Sequence, residues 1–142
     1  AISTDIISGF CSETEEEHQD TLKLMEEVKY NYAYMFEYSE RPNTPAAKKL
    51  VDDIPADVKN RRLSEIIDLQ NKHSLGLHQK EIGKLLEVLV EGDSKRSTEF
   101  LKGRTSGYAT VIFPKKHHKK GDYVMVKVNS CTKGTLKGEI VK

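Results

Sequence analysis

Residues 2–10 carry Ile2, Ile6, Ile7 and Phe10 without helical spacing, so they read as a buried strand that passes through Gly9 into a helix. Thr14-Glu15-Glu16-Glu17 has the form of a capping box, and its glutamates stand where the positive end of a helix favours anions. Leu22, Met25 and Val28 follow at helical spacing and predict a helix over about 15–28. Residues 31–38 are aromatic-rich and predict a second strand. Strand, helix and strand at this distance predict a right-handed parallel crossover. Pro42, Asn43 and Pro45 then impose a shaped loop at the C-terminal end of the second strand. Such ends carry the ligand chemistry of parallel β/α folds. A short helix is predicted over 46–51. Pro55 opens a long one, with Asp53 as its cap and Val58, Leu63, Ile66, Ile67 and Leu77 as an apolar face out to about Gln79.

After Gly83 the period changes from helical to alternating. Residues 85–90, 108–113, 123–128 and 135–141 read as strands, punctuated by Gly92, Gly103, Gly107, Pro114, Gly121 and Gly134. Short strands at this spacing predict a small antiparallel barrel. The change of period puts a boundary near residues 79–84 and divides the chain into domains 1–80 and 81–142.

Composition adds little to that division, but charge adds a good deal. Of the 142 residues, 37% are hydrophobic and 32% charged, which fits a globular protein. No apolar run reaches the ~20 residues of a membrane helix, and residues 1–20 have no basic stretch of a signal peptide. The two cysteines, Cys11 and Cys131, have no cysteine neighbours, which argues against a disulfide framework or a zinc site and suits a reducing cytoplasm. The net charge of +1 hides a split: residues 1–80 hold 10 Lys+Arg against 15 Asp+Glu, and residues 81–142 hold 13 against 7. Two modules with different partners are one reading, the basic one facing nucleic acid. Surface lysines that merely solubilise a small barrel are the other.

Specific motifs favour the first reading. Asp5-Ile-Ile-Ser-Gly-Phe-Cys-Ser-Glu-Thr14 resembles the Gly-Phe-Pro-Gly-Glu-Thr motif of radical S-adenosylmethionine enzymes. Tyr38-Ser-Glu-Arg-Pro-Asn-Thr-Pro-Ala46 is similar to the Tyr-Ser-x-Arg-Pro-Gly-Thr-x-Ala segment of the methylthiotransferases. Leu86-Glu-Val-Leu-Val-Glu-Gly92, Gly103-Arg-Thr105, Val111-Ile-Phe-Pro114 and Gly138-Glu139 resemble pieces of their TRAM domain, a small OB-like β-barrel. The resemblance runs in order along the C-terminal portion of that family. Arg41-Pro42 resembles the tRNA-modifying branch rather than the branch acting on a ribosomal protein. Two departures stand out: Cys11-Ser12 replaces the usual Pro-Gly, and Asn43 replaces a glycine, a mild change because asparagine tolerates a left-handed backbone.

The resemblance implies a fold class: an α/β remnant of a partial TIM-type barrel over 1–80, followed by an all-β OB-like TRAM barrel over 81–142. It implies a transferase that adds a 2-methylthio group to N6-isopentenyl-adenosine in tRNA by radical S-adenosylmethionine chemistry. The cofactors would be S-adenosylmethionine and two 4Fe-4S clusters. Such clusters need thiolate ligands, and two isolated cysteines hold neither, so the chain by itself is expected to be inactive and to require the N-terminal part of the same enzyme. No sulfur donor is implied. Activity on threonylcarbamoyl-adenosine or on a ribosomal protein, or a stand-alone RNA-binding module, are the alternatives.

No catalytic residue is assigned. The resemblance places Ile7, Ser8 and Gly9 against the cofactor, with barrel core and a tight turn as the competing roles. Arg41 suits either the S-adenosylmethionine carboxylate or a tRNA phosphate, because its planar fork matches both anions; a salt bridge to Glu37 or Glu40 is the alternative. Glu13 is expected to lock the strand–helix turn. Arg104, Lys115, Lys116, Lys119 and Lys120 are the RNA-binding candidates, the lysines at the tip of a hairpin over 115–120, with Tyr108 or Phe113 stacking on a base or filling the core. His117-His118 lacks partners for a metal, and His18, His73 and His78 are expected on helix surfaces.

Overall fold

The computed structural model describes residues 1–95 and 97–141. The chain forms two compact units, Ile2–His73 and a second from Ser74 onward. In the first, β1 (Ser3–Ser8) leads through α1 (Glu15–Val28) to β2 (Tyr32–Glu37), which lies parallel to β1 in a register from Ser3↔Tyr32 to Ser8↔Glu37. The capping box forms: Thr14 Oγ1 accepts from the N–H of Glu17 at 3.2 Å, and the Glu17 carboxylate accepts from the N–H of Thr14 at 2.8 Å. Lys29, left-handed at φ 52°, ends the helix and donates its N–H to Met25 O. A short α2 (Pro45–Lys49) is capped by Thr44, and α3 (Ala56–Gln79) follows.

Three expectations for this unit are corrected. The first strand is not buried on both faces: Ser3, Asp5 and Ile7 of β1 and Tyr34 and Phe36 of β2 are exposed, Ile7 and Phe36 by 57% each. Alternation turns Thr4, Ile6 and Ser8 to the opposite side, and the first unit supplies no layer over the outer one. His18 and His73 are buried rather than on a helix surface. Each histidine is paired with a carboxylate of the other helix, which satisfies it on burial: His18 Nε2 lies 2.7 Å from Glu65, and His73 Nε2 lies 3.1 Å from Glu26. Asp53 does not cap α3, because it lies ahead of the cap position; its Oδ1 accepts from the N–H of Ser12 at 2.7 Å.

The second unit is a closed five-stranded barrel of β3 (Leu85–Ser94), β4 (Ser97–Thr105), β5 (Thr110–Pro114), β6 (Tyr123–Cys131) and β7 (Leu136–Ile140), in the order β3-β4-β5-β7-β6. Three corrections apply here too. Residues 97–105 form a strand that the sequence reading missed, because its polar and glycine positions resemble a turn. The barrel is not wholly antiparallel, since β5 and β7 pair in parallel. Residues 115–122 are not a hairpin tip: β5 uses its two edges for β4 and β7, so the connection to β6 must cross.

Alternate positions fill the interior with Val88, Val90, Leu101, Val111, Phe113, Val124, Val126, Val128 and Leu136. So small a barrel forces backbones together. A Cβ on Gly103 would stand 2.7 Å from Leu89 O, and one on Gly138 would stand 2.9 Å from the carbonyl carbon of Lys127. Among the described residues, no helix is long and apolar enough to cross a membrane.

Candidate cofactor rim and nucleic-acid interface

The chain leaves β1 through Gly9, left-handed at φ 70°. Its N–H donates to Glu13 Oε2 at 2.8 Å, so Glu13 ties the turn together. Arg62 of α3 donates Nη1 to the same carboxylate oxygen at 2.7 Å and to Glu13 O at 2.9 Å, while Nη2 reaches Glu15 at 3.3 Å. The Arg62 side chain is 5% exposed, so it orders the turn from inside the unit. Lys59, one helical turn earlier, is buried as well. Its stem runs through the space that Gly9 leaves open: a Cβ there would stand 2.5 Å from Lys59 Cγ. Its ammonium reaches Tyr38 O at 3.2 Å and Asp52 Oδ1 at 2.5 Å, and lies 5.2 Å from the centre of the Tyr38 ring. Lys59 thereby connects the ends of β1 and β2 with the segment before α3. Lys59 and Arg62 escaped the sequence reading, although two cations among Val58, Leu63 and Ile66 were a readable signal.

The cofactor candidates occupy distinct environments. Ile7 stands on the open face of the sheet. Ser8 is buried, and its Oγ has no hydrogen-bond partner among the described residues. Gly9 meets Lys59. Arg41 lies exposed in the loop after β2, its carbonyl accepting from Thr44 N–H at 3.3 Å and Thr44 Oγ1 at 2.9 Å. Among the described residues it forms no ion pair with Glu37 or Glu40, and no hydrogen bond joins it to Ile7, Ser8 or Gly9. Asn43 in the same loop is left-handed at φ 69°, as its replacement of a glycine requires.

Glu15, His18 and Glu65 bring their ligand atoms within 4.8 Å of one another. A guanidinium already spans the carboxylates: Arg61 reaches Glu15 at 2.6 Å and Glu65 at 2.8 Å. Hydrogen bonding to Arg61 pulls the Glu15 carboxyl down to about 2. His18 first, and Arg61 second, hold that of Glu65 below its ordinary value. The cysteines do not fit an iron–sulfur cluster: Cys11 belongs to the first unit and Cys131 to the second, and each lacks the companion thiolates such a centre needs.

On the barrel, the basic candidates fall into two groups. Lys115, Lys116, Lys119 and Lys120 are exposed on the 115–122 crossing. Lys115 pairs with Asp93 at 2.5 Å, and the N–H of Lys119 is held by Asp122 at 2.9 Å. Arg104 points outward from β4, bonded to Glu91 at 2.8 Å, with its guanidinium carbon 4.2 Å from the centre of the Tyr108 ring. Arg104, then Lys102, hold the Glu91 carboxyl below its ordinary value. Phe113 fills the core and is fully buried, whereas Tyr108 is 53% exposed.

The TRAM domain family matches residues 79–141. A curated tRNA-2-methylthio-N(6)-dimethylallyladenosine synthase from Flavobacterium psychrophilum is 57% identical over 99% of this chain, and one from Amoebophilus asiaticus is 58% identical over 98%. The chain spans 29% of the length of each of these relatives. Among solved structures, Mycoplasma genitalium RNase R in complex with ribose-methylated single-stranded RNA covers 61% of this chain and 18% of its own, at 14% identity and a TM-score of 0.38, too remote to bear on the fold. The likeness to these synthases runs through both the strand–helix–strand unit and the barrel, and residues 79–141 of the chain match the TRAM domain family.

Proposed function

We propose that this chain is the C-terminal part of a cytoplasmic tRNA methylthiotransferase, which adds a 2-methylthio group to N6-isopentenyl-adenosine, and that its TRAM domain binds the tRNA. The observation that carries this reading is the identity above one half along nearly the whole chain to synthases named for that product. S-adenosylmethionine and the two 4Fe-4S clusters would be bound with the N-terminal part of the enzyme, because the thiolates they require lie outside this chain.

In this reading β1, α1 and β2 are the last portion of a TIM-type barrel. The bare sheet face supports it: Ile7, Tyr34 and Phe36 are apolar positions that a complete barrel would enclose. Ile7, Ser8 and Gly9 would border S-adenosylmethionine, and Ser8 Oγ is a buried polar atom still in need of a partner. Arg41 would pair with the cofactor carboxylate or with a tRNA phosphate, and its exposed side chain is compatible with either. Lys115, Lys116, Lys119 and Lys120 would supply the phosphate contacts, and Arg104, held between Glu91 and the Tyr108 ring, would belong to the same RNA-binding surface.

The test uses the complete enzyme. Replacing Lys115, Lys116, Lys119 and Lys120 by glutamate should weaken tRNA binding and flatten its dependence on salt, since each lost phosphate contact lowers the slope of log K against log salt by about 0.7–0.9. Unchanged affinity and slope would remove the lysines from the interface. Arg41→Ala should weaken either S-adenosylmethionine or tRNA; normal binding of both would exclude the arginine.

A further inference from the structure

The strand register places a second set of side chains beside the basic ones. Arg104 of β4 pairs with Leu89 of β3, and Leu89 pairs in turn with Tyr123 of β6. Directly opposed residues project from the same face of a sheet. Their neighbours Val88, Val90, Gly103 and Val124 are buried, so Arg104, Leu89 and Tyr123 all point outward. Tyr108, from the turn between β4 and β5, extends the row by lying over the Arg104 guanidinium. The result is an outward line of ring, guanidinium, leucine and ring. Tyr108 and Tyr123 are 53% and 65% exposed.

Two observations set this line apart from ordinary surface. Tyr108 is left-handed at φ 65°, a conformation strained for a bulky residue that persists where surrounding structure enforces it. The turn does enforce it, through Tyr108 N–H to Thr105 O at 2.9 Å and Thr105 N–H to Ala109 O at 3.0 Å. The guanidinium is held as well: Glu91 anchors Arg104 from the side, so its plane stays beneath the ring. Tyr123 lies two strand spacings from Arg104, about 10 Å away. Aromatic faces offered beside cations, on a barrel carrying a surplus of Lys and Arg, are the elements of a stacking platform for unpaired bases.

We propose that Tyr108 and Tyr123, with Arg104 and Leu89 between them, form a stacking surface for unpaired nucleobases of RNA on the β4-β3-β6 face of the barrel. This rests on the reading of the TRAM domain as the tRNA-binding part, and it adds which chemistry of the RNA is recognised: base faces on this row, phosphates on the lysine crossing.

The experiment is fluorescence anisotropy with the complete enzyme, using a labelled single-stranded RNA, the same RNA annealed to its complement, and tRNA. Tyr123→Ala and Tyr108→Asn (asparagine tolerates the left-handed backbone) should each weaken single-strand binding at least about fivefold, the low end for one lost stacking contact. The salt slope should stay that of the wild type, because no phosphate contact is lost. Tyr123→Phe keeps the ring and should bind normally, and the duplex should bind less tightly than the single strand. Wild-type affinity in both ring-removing variants overturns the proposal, as does equal sensitivity of duplex and single strand. A large drop in melting temperature with RNA binding intact also overturns it, because the rings would then be packing on protein. Failure of the wider functional reading looks different: the wild-type enzyme would itself neither bind nor modify tRNA.

Discussion

Arg62 shows how a single side chain can hold a turn. Its side chain is almost wholly enclosed and serves Glu13 and Glu15, and Glu13 in turn holds the N–H of Gly9. Removing one partner of a buried pair costs about 3–5 kcal/mol, because the other charge is left enclosed. Arg62→Met should therefore lower the urea midpoint sharply, and adding Glu13→Gln should recover part of the loss. Full stability of the single variant would show that the pair is not desolvated. The acid limb follows from the carboxylates. Glu15, Glu26, Glu65 and Glu91 all have folded-state values below the unfolded one, so their contribution is present above about 4.5 and is lost as pH falls through the folded value, about 2 for Glu15. The melting temperature should hold from pH 7 to 5 and fall below 4.5. Arg61→Ala, which removes the main cause of the Glu15 depression, should shrink that fall.

Among the elements, those with local causes were legible and those with distant causes were not. The capping box of α1 is a four-residue signal and formed as read, as did the parallel β1–α1–β2 unit. The strand Ser97–Thr105 was hidden because its glycine looks like a turn residue until the neighbouring strand is known: Gly103 lies against Leu89 O, where no side chain fits. His18 and His73 were misplaced for a similar reason, since a histidine on a helix declares itself buried only when the facing carboxylate is in view. For the site, Glu13 and the outward Arg104 were readable, while Lys59 and the row ending at Tyr123 depend on pairings across the chain. Gly138 offers a test at this scale. Gly138→Ala should destabilise the barrel by about 1–3 kcal/mol, the usual cost of overpacking, because its Cβ would run into the Lys127 carbonyl. Thermal unfolding would read it, and a neutral result would mean that β6 and β7 can separate at no cost.

Across the whole molecule, apolar burial is uneven. The nine residues of the core cluster all lie in the barrel, whereas the buried apolar side chains of the first unit are Cys11, Met25 and Ile66. The first unit has ion pairs between α3 and the turn and first residue of α1, a buried one at Arg62–Glu13 and an exposed one at Arg61–Glu15, and a smaller apolar core of its own. Produced separately, the barrel unit from Ser74 onward should give dispersed amide resonances and a cooperative melt, and residues 2–73 should not. A cooperative melt from the first unit alone would mean that its ion pairs and small core suffice.

The parallel contact of β5 with β7 also sets a schedule for biosynthesis. As the chain leaves the ribosome, β3, β4, β5 and β6 can assemble only as an open sheet ordered β5-β4-β3-β6, with unpaired backbone along both borders. Leu136–Ile140 closes both borders at once, and Leu136 completes the apolar interior. A nascent chain that stalls before this strand exposes two adhesive edges, so truncation ahead of Leu136 converts a self-contained barrel into a seed for aggregation.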